Sequence, residues 1–357
     1  MNELRPGFQA SRGLRLYTAV ALLACCGPVA SAPSEADPLF ADDTVLEVRI
    51  EAPFDRLTDE RPQHKDLDGK FSYADSQGNV SVLDVGVRVR GKLRSTSETC
   101  SFPPLRLDFV KSQVAGTLFE GQDKLKLVTH CRNRAVRYEQ SLLAEYLAYR
   151  IYNQLTDASF RVRLLHATYV PTDGGSDLES YAFIIEDKHR FAHRIGIKKP
   201  DVNRVRVVDL NAAELNLSSV FQYFIGNTDF SPIAAAPGEA CCHNQVLFSR
   251  KGNAYLSVPY DFDQSGLVNA PYAAPDPKFD LDSPRDRLYR GRCVNNDHLP
   301  ATLALFREKR TAIETLVENQ EGLRPSTRKQ MLDFIEDFYK TIEDPDRVTK
   351  YIVNRCI

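Results

Sequence analysis

The 357-residue sequence lacks a strong net charge, long apolar runs and the common catalytic signatures. Its 46 basic and 48 acidic residues give a formal net charge of −2, so no overall field attracts polyanions and we expect no nucleic-acid partner. Beyond the N-terminal region, no apolar run reaches the roughly 20 residues that span a bilayer. P-loop, dinucleotide-binding, G-x-S-x-G and H-E-x-x-H motifs are also missing, which excludes several enzyme classes.

The N-terminus has the order of residues that is typical of a signal peptide. Three arginines precede a short apolar run from Tyr17 to Ala24, which small residues follow. We therefore expect positions 1–32 to be a signal segment. The Pro- and acid-rich positions 33–43 are expected to form a flexible tether.

Two processing sites remain open for this segment. Ala30-Ser31-Ala32 has the small-x-small pattern of ordinary cleavage, whereas Leu22-Leu23-Ala24-Cys25 resembles a bacterial lipobox with Cys25 as the lipidation candidate. Both predict an exported protein. It would be secreted, periplasmic or attached to the cell envelope, and in the last case it would meet the membrane surface through the lipid.

An even number of cysteines follows the signal segment, which is typical of disulfides in an oxidising compartment. We expect Cys100 and Cys131 to clip one strand-rich segment, and the other four to tie the middle of the chain to its C-terminus. Zinc at Cys241-Cys242-His243 is disfavoured because adjacent thiols do not have the usual spacing. The six disulfide candidates are Cys100, Cys131, Cys241, Cys242, Cys293 and Cys356.

Hydrophobic periodicity predicts an α+β protein. The first half alternates like antiparallel strands, one long helix over 138–153 follows, and the last third has amphipathic helices. We expect an N-terminal antiparallel sheet with one packed helix and a mostly helical C-terminal part. The predicted strands are 45–50, 80–89, 105–109, 124–128, 162–170, 181–185, 245–249 and 255–258; the later helices are 212–225, 302–318 and 326–342.

Polar clusters interrupt the apolar pattern at three points. Asp229 follows a helix end, Asn244 opens a strand, and Asp261 and Asp263 follow a strand. Carboxylates two residues apart in an extended chain point to one side and suit a divalent cation, to which Asn244 can add a carbonyl oxygen. Asp229 would then accept a proton from an attacking hydroxyl. The competing interpretation is that these residues only cap turns.

The order of these clusters resembles that of the CotH-like family of atypical protein kinases, named for spore-coat proteins. The resemblance runs from about Val85 to Gly266. The matching segments are Val89-Arg90-Gly91 with Arg94-Ser95, Pro104-Leu105-Arg106-Leu107-Asp108-Phe109, Phe119 to Leu127, Tyr181-Ala182-Phe183-Ile184-Ile185-Glu186, and the core of Asp229, His243-Asn244 and Pro259-Tyr260-Asp261-Phe262-Asp263.

The resemblance implies a two-lobed kinase-like fold in one domain, 44–357, with lobes of about 44–190 and 191–357. ATP and Mg²⁺ or Mn²⁺ would bind between the lobes, and the γ-phosphoryl group would pass to a protein hydroxyl. By the same resemblance, Asp229 would be catalytic, Asn244 and Asp261 would hold the metal with Asp263 nearby, and Glu139 would orient a nucleotide-binding cation.

The match departs from the family pattern at several positions. Arg106 stands where the phosphate-binding lysine is expected, and arginine is not a neutral replacement there. Lys124 and Lys126 are the substitutes on the neighbouring strand. Tyr260 replaces the usual tryptophan, and an insertion with Cys241 and Cys242 separates Asp229 from Asn244.

Two other functions remain open. We expect a monomer in every case. A structural or binding protein of the cell envelope that keeps the fold without turnover would not need the carboxylates to converge. A calcium-stabilised adhesion or carbohydrate-binding module would use Asp261 and Asp263 without phosphate-binding cations. A basic stretch of Arg285, Arg287, Arg290 and Arg292 suits phosphate or an acidic peptide, although such stretches are usually solvated loops.

Overall fold

The structure is a computed structural model. It describes residues 1–3, 7, 37–75, 77–235, 241–249 and 254–357. Most of the predicted signal segment, with Cys25 and the start of the predicted tether, lies outside these residues. Within the described ranges, no helix is both long enough and apolar enough to cross a membrane.

Nine strands and eight helices make up the described fold. The strands are β1 (Leu46–Ala52), β2 (Leu67–Ala74), β3 (Val80–Val89), β4 (Leu105–Phe109), β5 (Lys124–Val128), β6 (Val162–Pro171), β7 (Leu178–Ile185), β8 (Gln245–Ser249) and β9 (Tyr255–Pro259). The helices are α1 (Phe54–Asp59), α2 (Lys111–Val114), α3 (Val136–Leu155), α4 (Lys188–Arg194), α5 (Ala212–Ile225), α6 (Leu299–Glu318), α7 (Pro325–Ile342) and α8 (Pro345–Tyr351).

The first seven strands form a closed barrel in the order β1-β2-β3-β4-β5-β7-β6. All neighbouring pairs are antiparallel except β1 and β6, which run parallel from Leu46 opposite Leu165 to Ala52 opposite Pro171. Side chains alternate along each strand, so one face of the sheet fills the barrel. Phe71, Phe109 and Phe119 pack against one another in this interior, with ring centroids 5.0–5.5 Å apart.

This closed barrel shows that the expected two-lobed kinase-like fold with an open N-terminal antiparallel sheet is wrong. The physical reason is the pairing of β1 with β6, which satisfies the backbone groups that an open sheet leaves at its edge. The chain does combine strands with helices, and one long helix follows the fifth strand. That helix is α3, which packs against β6 and β7 on one side and α6 on the other.

A second apolar core joins α3 to the C-terminal helices. Helix α5 is buried along most of its length and contacts α6, α7 and β9. Phe224, Phe306 and Phe338 form an aromatic cluster where α5, α6 and α7 meet, with centroids 4.9–5.4 Å apart. The hairpin of β8 and β9 forms a separate two-stranded sheet beside this core.

The segment 37–43 is packed on the domain, although the sequence predicts a flexible tether there. Leu39 and Phe40 are buried, and Asp43 is paired with Arg150 on α3 at 2.5 Å. Asp37 is paired with Arg190 on α4. Residues 37–43 are therefore part of the packed domain.

All six candidate cysteines lie in disulfide pairs. Cys100 and Cys131 are joined as expected. The expectation that the other four tie the middle of the chain to the C-terminus is wrong, because Cys241 is bonded to Cys242 and the peptide between them is cis. The third pair, Cys293 and Cys356, joins the start of the helical region to the C-terminus.

We predict that these disulfides contribute unequally to stability. A crosslink stabilises mainly by restricting the unfolded chain, and the effect grows with the length of chain that it closes. Cys100 and Cys131 are 31 positions apart, whereas Cys241 and Cys242 are adjacent. Replacing Cys100 and Cys131 together with serine is expected to lower the free energy of unfolding by about 4 kcal/mol.

The double replacement of Cys241 and Cys242 is the matched comparison, with an expected loss below about 1 kcal/mol. Urea unfolding of both variants under oxidising conditions measures the two losses. Equal losses would contradict the argument from loop length.

Candidate functional site

The β8–β9 hairpin brings Asn244 and Asp261 to the same place. Asn244 immediately precedes β8, Asp261 follows β9, and Gln245 is opposite Pro259 in the antiparallel register. The Tyr260 N–H donates to the Asn244 carbonyl at 3.2 Å. Asn244 and Asp261 both have positive φ, 49° and 64°. Non-glycine residues adopt this conformation at a cost that structures sustain most often at functional sites.

Asp229 joins the pair through Asn244. Helix α5 ends at Gly226, whose φ of 65° is the left-handed conformation of a helix C-cap, and the chain then turns towards the hairpin. The Asn244 side-chain nitrogen donates to the Asp229 backbone carbonyl at 2.7 Å and to Oδ2 at 2.9 Å. Oδ1 is hydrogen-bonded to His243 Nε2 at 2.6 Å. Both oxygens of this carboxylate are therefore oriented.

Arg94 is a buried arginine next to Asp261, and it makes ion pairs with three carboxylates. Arg94 Nη1 lies 2.9 Å from Glu145 Oε2, Nη2 lies 2.9 Å from Asp261 Oδ1, and Nε lies 3.1 Å from Asp263 Oδ2. Asp261 is also fixed by its backbone N–H, which donates to the Tyr149 hydroxyl at 2.8 Å. The side chains of Glu145 and Asp263 are only 2% and 9% exposed.

The cluster is short of positive charge. Burial, together with the nearby Asp261 and Glu145 carboxylates and against the opposing effect of Arg94, raises the pKa of Asp263 to about 7. Burial likewise raises the pKa of Glu145. Burial would lower the pKa of Arg94, but Asp263 and Glu145 hold it well above its ordinary value. An added cation would relieve this imbalance.

The residues fit a divalent cation only in part. Among the described residues, no set of three or more His, Cys, Asp or Glu has the arrangement of a metal site, because Arg94 lies between the carboxylates. Asp261 and Asp263 each use one oxygen for Arg94, Oδ1 of Asp261 and Oδ2 of Asp263, and the other oxygen of each carboxylate takes no part in these two ion pairs. These two oxygens and the Asn244 side-chain carbonyl are the ligands the site offers. Phosphate oxygens and water would complete the set.

A cavity of 960 Å³ adjoins the cluster between the barrel wall and the hairpin. Tyr260 lines it beside Asp261, and apolar surface comes from Phe160, Ile185 and Val246. The Cys241–Cys242 pair forms part of the same wall. Of the described residues that line the cavity, eight are Lys or Arg and four are Asp or Glu. Its volume is in the range of small-molecule binding sites.

Several of these cations have no carboxylate partner. Lys111 is paired with Asp123, and Lys124 with Asp108. The remainder make no ion pair with a described residue, apart from Arg190 on the rim, which is held by Asp37. The unpaired cations are Arg90, Arg106, Lys126, Lys188 and Lys199.

Three cations form a row across the barrel wall. Arg88 is opposite Arg106 in the β3–β4 register, and Arg106 is opposite Lys126 in the β4–β5 register. Like charges directly opposite one another destabilise a sheet, and only Arg88 is compensated, by Asp66 at 2.6 Å. Burial, with Arg90 nearby, lowers the pKa of Lys126 to about 7. An anionic ligand would offset this repulsion.

The structure separates the predicted nucleotide-binding residues into two groups. Arg106, Lys124 and Lys126 line the cavity. Glu139 does not: it accepts a hydrogen bond from the Ser180 hydroxyl at 2.5 Å and makes no ion pair with a described residue. Glu145, two turns further along α3, makes the ion pair with an arginine instead.

Sequence reasoning missed Arg94, Glu145 and Arg90. The available signal was the position of Glu145, a carboxylate on a helix whose neighbouring positions are apolar or aromatic, since such a group is rarely buried without a partner. In the sequence, Arg90 and Arg94 stand out only as members of the motif that resembles the CotH-like family.

No family model matches the chain, and no curated protein matches it in sequence. These two comparisons therefore give no relative with which the site can be compared. Membership of the CotH-like family therefore stays a prediction from the motifs.

Proposed function

We propose that the protein is an exported, CotH-like phosphotransferase that transfers the γ-phosphoryl group of ATP to a protein hydroxyl. The observation that carries the proposal is the juxtaposition of a cavity rich in unpaired cations with the Asp229, Asn244, Asp261 and Asp263 cluster. Phosphoryl transfer needs little covalent chemistry from a protein. It needs cations on the phosphates, a metal site and a group that orients the nucleophile.

The cavity residues have defined roles in this proposal. Arg106 and Lys126 bind the phosphates, and the apolar side chains of Phe160, Ile185 and Val246 take the base. Bound Mg²⁺ would neutralise phosphate charge, and Asn244, Asp261 and Asp263 would hold it.

Asp229 acts on the acceptor. Its carboxylate, fixed by His243 and Asn244, takes the proton of the attacking hydroxyl. The hydroxyl oxygen forms a bond to the γ-phosphorus, the bond from that phosphorus to the β–γ bridging oxygen breaks, and ADP leaves with the electron pair.

A thermal-shift measurement with three variants tests ligand binding. A ligand that binds only the folded state raises the midpoint of unfolding, and near-saturating Mg-ATP is expected to raise it by about 5 °C. We expect the rise to be lost in Lys126→Met and Asp261→Ala. It should persist in Lys70→Met, which removes an exposed cation paired with Asp84 elsewhere on the barrel.

The thermal-shift results show whether the nucleotide binds and whether it binds in the cavity. A rise that is equal in Lys126→Met would place the nucleotide outside the cavity. If millimolar Mg-ATP gives no rise in the unaltered protein, the proposed function is wrong.

One observation favours a second function, that of a non-catalytic envelope protein. Arg94 already neutralises part of the charge on Asp261 and Asp263, as it would in a purely structural cluster. Such a protein would bind a phosphate-bearing ligand without turnover. Radiolabelled γ-phosphate from ATP, incubated with envelope proteins, separates the two functions: binding without transfer supports the second.

A calcium-stabilised module is the remaining alternative. It predicts that Ca²⁺ alone raises the midpoint of unfolding and that ATP adds nothing. The unpaired cations of the cavity have no role in it.

A further inference from the structure

The basic stretch after the acidic loop turns inward. Arg285 donates to the Gly266 carbonyl at 3.3 Å, and Arg287 donates to the Phe224 carbonyl at 3.2 Å while its guanidinium lies 3.7 Å from the centre of the Phe334 ring. These arginines therefore bind backbone carbonyls around the candidate site. The expectation of a solvated loop does not describe them.

Arg290, in the same basic stretch, contacts the chain next to Asp229. Its Nη1 donates to the carbonyl of Thr228 at 2.6 Å and to the carbonyl of Phe230 at 2.9 Å. They belong to the residues on either side of Asp229.

Two aromatic rings hold the guanidinium in place. The Phe230 and Phe279 rings each lie with their centres 4.7 Å from it, a distance at which cation–π attraction is effective. Its Nε is buried and has no described hydrogen-bond partner. The group is thus fixed by stacking and by one nitrogen shared between two carbonyls.

Three further hydrogen bonds hold the chain around Asp229, one of them from Asn244 Nδ2 to the Asp229 carbonyl at 2.7 Å. The Asp229 N–H donates to Asn227 Oδ1 at 2.9 Å, and the Ser231 N–H donates to the His243 carbonyl at 2.9 Å. Backbone rotation at Thr228 or Phe230 would move the Asp229 carboxylate relative to Asn244. Arg290 binds the carbonyls of both these residues.

We propose that Arg290 is a positioning residue that holds the carbonyls of Thr228 and Phe230, the residues on either side of Asp229, so that the Asp229 carboxylate faces the acceptor hydroxyl. This inference rests on the proposed function. Arg290 does not line the cavity, so its role is to orient Asp229 without contacting the nucleotide. A misplacement of about 1 Å at a reacting group costs roughly 100-fold in rate.

Lysine at this position separates orientation from charge. It keeps the positive charge, but it cannot keep a planar guanidinium stacked between two rings while it donates to both carbonyls. In Arg290→Lys, kcat is expected to fall roughly 100-fold, while KM for ATP and the rise in midpoint with Mg-ATP stay within about twofold. Arg292→Lys, in the same stretch, is the matched control and should leave all three values unchanged.

Chemical rescue supplies a second readout. In Arg290→Ala, methylguanidinium added at millimolar concentration is expected to restore at least about a tenth of the lost kcat, whereas methylammonium is not. If kcat of Arg290→Lys matches the unaltered protein, or if kcat and nucleotide binding fall together, the positioning role is wrong.

Hydrogen exchange tests the same role without activity. Peptides covering 227–231 should exchange at least about tenfold faster in Arg290→Lys, with peptides from the barrel unchanged. If the unaltered protein transfers no phosphate, the proposed function fails, and exchange still decides whether Arg290 restrains Asp229. Unchanged exchange over 227–231 would overturn the inference.

Discussion

Replacing Asp229 with asparagine is expected to lower kcat for phosphoryl transfer roughly 1,000-fold. Asparagine has almost the same shape; its amide oxygen can accept from Asn244 Nδ2, and its amide nitrogen can donate to the Nε2 of a neutral His243, so the local structure should persist. What it loses is the ability to accept the proton of the attacking hydroxyl. Asp229 does not line the cavity, so KM for ATP should change by less than about threefold, because nucleotide binding and acceptor activation use different residues.

Steady-state kinetics with a hydroxyl-bearing protein substrate measure this effect. Asp333→Asn, on the exposed face of α7 where the carboxylate is paired with Lys329, is the matched control and should retain full activity. An Asp229→Asn enzyme within tenfold of the unaltered protein would show that the carboxylate is not the proton acceptor. A parallel loss of nucleotide binding would instead indicate that Asp229 organises the whole site.

Much of the local structure could be predicted from the sequence, because strands and helices depend on nearby residues. The bounds of β3, β4, β5, β8 and α5 are those that periodicity predicts. Strand β2 was missed because Asp68, Gly69 and Lys70 are all depleted in strands. Its packing is decided by Phe71 and Tyr73, which point into the barrel.

Closure of the barrel could not be predicted in this way. An alternating strand looks the same in an open sheet and in a barrel, since in both one face is buried. The decisive pairing joins β1 to β6 across more than 100 residues of chain. The resemblance to a kinase family favoured an open sheet, and nothing local opposed it.

The same distinction applies to the candidate site: contacts between residues close in sequence could be predicted, and contacts between distant residues could not. Asn244 and Asp261 meet because a short hairpin joins them, and that hairpin was predictable from its two alternating runs. Arg94 meets Glu145 and Asp261 from 51 and 167 positions away. No sequence pattern shows that residues so far apart in the chain lie together in space. The charge balance of the site could therefore be known only from the fold.

Replacing Arg94 with methionine tests that charge balance. Methionine preserves much of the volume but leaves Glu145 and Asp263 buried without their counter-charge, and removal of one partner from a buried ion pair costs about 4 kcal/mol. We expect the free energy of unfolding at pH 8 to fall by about this amount. Urea unfolding in metal-free buffer measures it.

The loss should depend on pH in a definite direction. The pKa of Asp263 is raised in the folded state to about 7, so the folded state binds more protons than the unfolded state between about pH 4 and pH 7. Its contribution therefore lowers stability as pH rises through that window. Without Arg94 the folded-state pKa values of Asp263 and Glu145 rise further. The penalty of the variant should be largest at pH 8 and smallest near pH 5.

A double variant tests whether Arg94 and Glu145 stabilise the fold as a pair. In the double variant Arg94→Met/Glu145→Gln, one buried charge is removed as well, so about half of the lost stability should return. A strictly additive loss would show that the two residues do not interact.

The response to Mg²⁺ tests whether the cluster binds a cation. If Asp261, Asp263 and Asn244 hold a cation, millimolar Mg²⁺ should stabilise Arg94→Met more than the unaltered protein, because the missing positive charge leaves both carboxylates open to the ion. Identical stability with and without Mg²⁺ would mean that Arg94 alone neutralises a structural cluster, and it would favour the non-catalytic function.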